Sequence, residues 1–294
     1  MQALWMALGA LFFTLMALCI RLASEAHGIM EILVYRGLVG IVLFGLLMRL
    51  QGVSLATPVP VLHVRRSIVG VLSMSLWFYT IAHLPMSTAM SLNSMSSVWV
   101  GTIVLAGNWW RLRRITHPWL FVIVLTGFAG VLMLLNPRFD SLPPLAGMIG
   151  LGAGMMAALA YMQVGALGKA GEPESRVVFY FSVGTVLLGL LGVLATGEFH
   201  SVTRENAIWL LGSGVFASLG QWCLTRAYSR GATMLAATLQ YLNIVYGTLF
   251  GLWLFDEMPQ PLAWLGMAII ILSGVAATAV RGHQVRKAAL AAVE

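Results

Sequence analysis

Charge is scarce in this chain: 9% of its 294 residues are charged, and only ten are acidic. A soluble globule of this length needs more polar surface, and the 60% hydrophobic content points into lipid. Cysteine is nearly absent as well. Cys19 and Cys223 both fall inside apolar runs, so a disulfide framework is unexpected and no redox chemistry is implied. Two aspartates, six histidines in loops or at the ends of runs, and no HExxH spacing leave nothing from which to build a membrane-embedded catalytic or metal centre. The expectation is therefore no enzyme, no cofactor and no metal. No carboxylate lies in the middle third of an apolar run, so proton coupling has only two candidates, Glu31 and Glu257. The net charge of +7 sits singly or in twos and threes at the ends of runs, which excludes a phosphate-binding face and a nucleic-acid partner.

What the chain does have is ten apolar runs, at 3–22, 30–49, 64–82, 86–107, 117–135, 145–168, 174–195, 206–228, 232–254 and 261–281. Each is long enough for a hydrocarbon core of about 30 Å, and backbone groups in lipid must satisfy one another, so each is expected to be helical. All ten prolines fall between the runs or in a first turn, where the missing N–H costs nothing. A broken span would then have to rely on glycine. The first run has no basic leader and another follows at once, so it reads as a retained helix. With the N-terminus inside, twelve basic residues collect on the cytoplasmic side (Arg49, Arg65, Arg66, Arg111, Arg113, Arg114, Lys169, Arg176, Arg230, Arg281, Arg286 and Lys287). The outer side collects three, Arg21, Arg138 and Arg204, so both termini are expected in the cytoplasm.

The runs also repeat. Tyr35 lies 145 residues before Tyr180, Trp77 with Ala82 lies 145 before Trp222 with Ala227, and Gly101-Thr102 finds its echo in Gly247-Thr248. The domains expected are a first repeat over 3–135, a second over 145–281 and a cytoplasmic tail over 282–294. Five spans per repeat is an odd number, so the second repeat enters the membrane upside down relative to the first, with a solute path expected near the midplane. The fold class is all-α integral membrane: ten transmembrane helices as two inverted five-helix repeats.

Residues Ala227, Tyr241-Leu242, Gly247, Phe255-Asp256-Glu257, Trp264-Leu265-Gly266 and Gly274-Val275 resemble the EamA domain of the drug/metabolite transporter superfamily. Tyr35-Arg36, Ala82, Gly127 and Gly130-Val131 carry the same resemblance through the first repeat. One departure is Asn108-Trp109-Trp110, where the family usually has a glutamate after its fourth span. The resemblance implies a multi-pass bacterial inner-membrane carrier of small metabolites, commonly an exporter of amino acids or related solutes. Importers of vitamins or nucleotide-like metabolites belong to the same family, and a non-transporting scaffold is the rival reading. The partners expected are a small-molecule substrate and the bilayer, with the chain a monomer or a homodimer.

Arg36 lies inside the second span with a charge that persists, so it must face the bundle interior, a wet cavity or an interface. It is a counter-ion for an anionic solute or an orientation lock on helix-end carbonyls, Glu31 or Glu25. Trp77, Tyr79, Asn93, Tyr161, Gln163, Gln221, Trp222, Gln240, Tyr241 and Asn243 also lie within spans and need hydrogen-bond partners there, so they are the candidate solute-binding residues. Glu257 is either a coupling residue or an anion at the start of the tenth span.

Overall fold

The computed structural model describes residues 2–84, 86–112, 118–136, 143–197, 199–229, 233–256 and 258–290, and Glu257 lies outside them. Eleven helices run through the described residues. They are α1 (Gln2–Ala23), α2 (Ile29–Leu50), α3 (Pro60–His83), α4 (Met86–Leu112), α5 (Pro118–Leu135) and α6 (Pro144–Lys169). Then follow α7 (Glu174–Thr196), α8 (Arg204–Ser229), α9 (Thr233–Leu239), α10 (Leu242–Phe255) and α11 (Pro261–Leu290). Among the described residues, nine helical stretches are long and apolar enough to cross a membrane, α9 and α10 together making one of them. The tenth crossing, α3, has 24 residues and is more polar, with His63, Arg65 and Arg66 near its start. Proline opens α3, α5, α6 and α11 and caps α7, the positions where its fixed φ suits a helix start.

Two elements depart from the sequence pattern. The ninth span, expected as one helix over 232–254, is interrupted at Gln240 and Tyr241, although neither proline nor glycine is there. The Tyr241 N–H bonds the Thr238 carbonyl three residues back at 3.3 Å, a tightened turn. The Ala237 carbonyl accepts the Ser97 hydroxyl from α4 at 2.7 Å instead. A serine on a neighbouring helix thus satisfies a backbone oxygen that lipid could not. The second departure is α11, which continues to Leu290, beyond the expected span end at 281.

Two compact units form, and each draws on both sequence repeats. One comprises Leu4–Leu72 and Met162–Gly231, the other Met1–Ala3, Ser73–Tyr161 and Ala232–Glu294. In the first, the α2–α7 unit, glycine sets the helix contact. A Cβ on Gly37 would lie 2.5 Å from Val186 and 3.0 Å from the Ser182 carbonyl, and one on Gly189 would lie 2.8 Å from Val34. Gly45 faces Phe179 further along, so the numbering rises on α2 as it falls on α7. These helices are the second spans of the two repeats, and their antiparallel packing is the inversion seen directly. α8 lies beside them, Gly214 against Val39 of α2 and Gly220 against Phe13 of α1.

In the second, the α5–α11 unit, the fifth spans of the two repeats also run antiparallel. A Cβ on Gly130 would lie 2.8 Å from the Gly266 carbonyl, and one on Gly266 would lie 2.6 Å from the Gly130 carbonyl. Such backbone contact between helices replaces the hydrophobic drive that lipid removes. Around it Val131, Leu134, Ile244, Met267 and Ile270 form a buried cluster.

Candidate functional site

Arg36 is the eighth residue of α2, about 10 Å along the helix from its start at 1.5 Å per residue. It is buried, 8% exposed, and lines a cavity of about 10 Å³, room for roughly one water. The other walls are Ser182 and Thr185 of α7 and Ser218 and Gln221 of α8, with Gly37 beside Arg36. Small residues on three helices let the backbones converge, and their hydroxyls make the space polar. The Ser182 hydroxyl donates to the Val178 carbonyl at 2.9 Å and that of Thr185 to the Phe181 carbonyl at 2.9 Å. Each oxygen keeps lone-pair capacity for a donor in the cavity. A fixed guanidinium beside an amide and three hydroxyls is suited to a carboxylate or phosphate oxygen. A larger groove of about 570 Å³ in the same unit is walled mainly by aliphatic side chains such as Leu38, Val42, Leu43 and Leu211.

Nearby, the Arg226 guanidinium stacks over Trp5 at 4.6 Å and stands 5.8 Å from Trp222, with Glu174 at 3.9 Å. Trp222 is thus part of an aromatic clamp on Arg226. Gln163, half-buried in the same unit, keeps its Oε1 without a hydrogen-bond partner. Arg36 and Gln221 are therefore brought together, with Trp222 one residue further along α8.

In the α5–α11 unit the break in the ninth span organises a second polar group. Gln240 donates to the Tyr161 hydroxyl at 2.8 Å, and the Asn243 N–H bonds the Gln240 carbonyl at 3.1 Å. Trp77, Asn93 and Asn243 are half-buried. Tyr241 is packed into the core at 1% exposure, its ring against the bare Cα of Gly127. Tyr79 stacks on His83 with ring centroids 4.0 Å apart, beside the apolar cluster of Leu84, Ala89 and Leu92.

Carboxylates mark the two ends of the α2–α7 pair. At one end Glu31, 1% exposed, accepts the Gly28 N–H at 3.0 Å, the His200 N–H at 2.5 Å and a bond to His200 Nδ1 at 2.8 Å. His27 Nδ1 stands 3.4 Å away. At the other end Glu172 is held by Thr57 at 2.7 Å, His63 at 2.9 Å and Arg176 Nη1 at 3.0 and 3.2 Å. Burial alone raises the Glu172 pKa, but these hydrogen bonds and the Arg176 charge outweigh it, and the carboxyl is held below the usual range. Sequence reasoning singled out Glu31 as a coupling candidate but not the histidines around it, and passed over the Glu172 cluster and the cavity hydroxyls, because serine and threonine are unremarkable inside spans. A signal did exist: His27-x3-Glu31 lies 145 residues before Glu172-x3-Arg176.

Inverted repeats of membrane-spanning helices are an architecture common among transporters. The EamA-like transporter family matches residues 145–278. The pseudopaline exporter CntI of Pseudomonas aeruginosa (strain UCBPP-PA14) is 32% identical over 271 residues, covering 92% of this chain and 93% of its own length. The riboflavin transporter of Vibrio cholerae is 27% identical, with 92% and 90% covered. A solved crystal structure superposes with a TM-score of 0.81 at 17% identity, over 95% of this chain and 96% of that one. The chain belongs to the EamA-like transporter family of the drug/metabolite transporter superfamily. It is a multi-pass membrane protein of a family of small-metabolite transporters, and its relatives point to transport and not catalysis.

Proposed function

We propose that this chain is an inner-membrane exporter of amino acids or related small solutes, working by alternating access between its two inverted repeats with both termini in the cytoplasm. The observation that carries it is Arg36 at the polar cavity with Gln221, Ser182 and Ser218. A guanidinium there is a counter-ion for a solute carboxylate, and the amide and hydroxyls supply the neutral hydrogen bonds that orient it. The cavity admits a water-sized group, so solute entry requires a more open conformation of the carrier. Gln240, Tyr161 and Asn243, at the break in the ninth span, form a separate polar group within the α5–α11 unit. Export is supported by the relative named pseudopaline exporter, which matches along almost all of the chain. The charge bias of the connections supports the cytoplasmic termini.

The test is counterflow into liposomes holding the purified protein, with labelled amino acids, nucleosides and vitamins, for wild type, Arg36→Gln and Arg36→Lys. Saturable counterflow of a carboxylate-bearing solute is expected, falling at least about tenfold in Arg36→Gln, the worth of one charge-assisted hydrogen bond, and less in Arg36→Lys. Flux equal to that of empty liposomes for every solute overturns the transport reading. Equal flux in wild type and Arg36→Gln overturns the counter-ion role alone. Net movement only into right-side-out vesicles of oriented carrier reverses the direction.

A further inference from the structure

We propose that His27, Glu31 and His200 form a binding site for a divalent transition cation, with zinc the best match to two imidazoles and one carboxylate. One ligand atom from each residue lies within 4.8 Å of the others. The residues come from two connections far apart in sequence: His27 and Glu31 from the α1–α2 turn and the start of α2, and His200 from the α7–α8 connection, 169 residues after Glu31. No linear spacing joins His200 to His27 and Glu31, which is why the sequence led to no metal.

Three observations point to a cation and not to a closed hydrogen-bond cluster. The His27 side chain is 0% exposed, yet neither ring nitrogen has a hydrogen-bond partner. A buried imidazole left so is a rare arrangement that a metal ligand explains. Glu31 gathers donors on both oxygens, with His200 N–H on Oε1, and Gly28 N–H and His200 Nδ1 on Oε2. Those backbone bonds fix the orientation of the carboxylate, as hydrogen bonds behind a metal ligand do. His200, with its side chain 52% exposed, leaves one side open for cation entry and for a water in the fourth position. In its other neutral tautomer, with the proton on Nε2, each histidine presents the Nδ1 lone pair toward Glu31.

The opposite end of the same helix pair supplies a control within the molecule. There the equivalent pair, Glu172 and Arg176, brings its own cation, the guanidinium at 3.0 Å. At the Glu31 end no arginine or lysine pairs with the carboxylate among the described ion pairs, and two histidines take that place. A bound cation would tie the α1–α2 turn to the α7–α8 connection and clamp that end of the α2–α7 pair.

The experiment uses the purified full-length protein in detergent, stripped with EDTA and titrated with zinc chloride, with cobalt as a spectroscopic stand-in. One zinc per chain, visible absorption bands of four-coordinate cobalt and a higher melting temperature with zinc are expected. His27→Ala and His200→Ala should each weaken binding at least about tenfold, while His283→Ala, at an exposed position far along α11, leaves it unchanged. No saturable binding up to millimolar zinc, or binding that survives both His27→Ala and His200→Ala, overturns the site. The wild-type cobalt spectrum reads ligand geometry directly, so the proposal stays testable should a variant fail to fold. Neither readout depends on transport.

Discussion

The two ends of the α2–α7 pair began from one plan and now hold together differently. Each carries an i, i+4 pair, His27 with Glu31 at one end and Glu172 with Arg176 at the other. Each receives a histidine from the opposite repeat, His200 on Glu31 and His63 on Glu172. A tyrosine ring lies against a histidine at both ends, Tyr35 against His27 and Tyr180 against His63. Both ends thus keep a buried polar pair, a histidine and a tyrosine, while their charges differ. At the Glu172 end the salt bridge is complete within the chain. At the Glu31 end the carboxylate relies on His200 and backbone N–H groups. What this teaches is that a duplicated fold fixes where a polar i, i+4 pair is buried but leaves open which of its two positions carries the carboxylate and what neutralises it.

The comparison is broken hardest at the Glu172 end. Glu172→Ala leaves Arg176 buried without its carboxylate, and a loss of about 3–5 kcal/mol is expected, read as a lower midpoint of thermal unfolding in detergent. Glu31→Gln is milder, because a glutamine oxygen still accepts from Gly28 or His200. About 1–2 kcal/mol is expected, again by thermal unfolding without added metal. Equal losses for the two would erase the distinction between the ends. The smallest effect is with acid. The folded carboxyl of Glu172 sits below its ordinary value, so its contribution is full above the unfolded pKa of about 4.3 and fades as pH falls through the lower folded value. Wild type should therefore lose melting temperature more steeply than Glu172→Gln below that point, and parallel curves would deny Glu172 the role.

Much of the fold was open to reading from the sequence. Lipid permits few backbone solutions, so an apolar run of 20 residues is a helix, and the boundaries at Pro60, Pro118, Pro144 and Pro261 are marked by the residue that starts them. The break at Gln240 escaped because its cause is on another helix: Ser97 takes the Ala237 carbonyl, and no local residue announces that. The longer α11 escaped because the lipid criterion ends where its apolar residues do. At the site, Arg36 and Gln221 stood out as polar atoms with nowhere else to go. Ser182, Thr185 and Ser218 did not, since a hydroxyl bonded to its own helix is silent in lipid until packing aims it at a cavity. Spacing alone could not bring His200 to Glu31, because the approach depends on the antiparallel contact of α2 with α7.

That contact also sets a clock for biogenesis. The ribosome finishes α2 at Leu50 but begins α7 only at Glu174, an interval of roughly 6–25 s at bacterial and eukaryotic synthesis rates. Throughout it, Glu31 and Arg36 wait in the membrane without the helix whose glycines and serines will enclose them. The first repeat is thus an obligatory intermediate in which Arg36 awaits the walls of its cavity, and that wait lasts as long as translation takes to deliver the inverted counterpart.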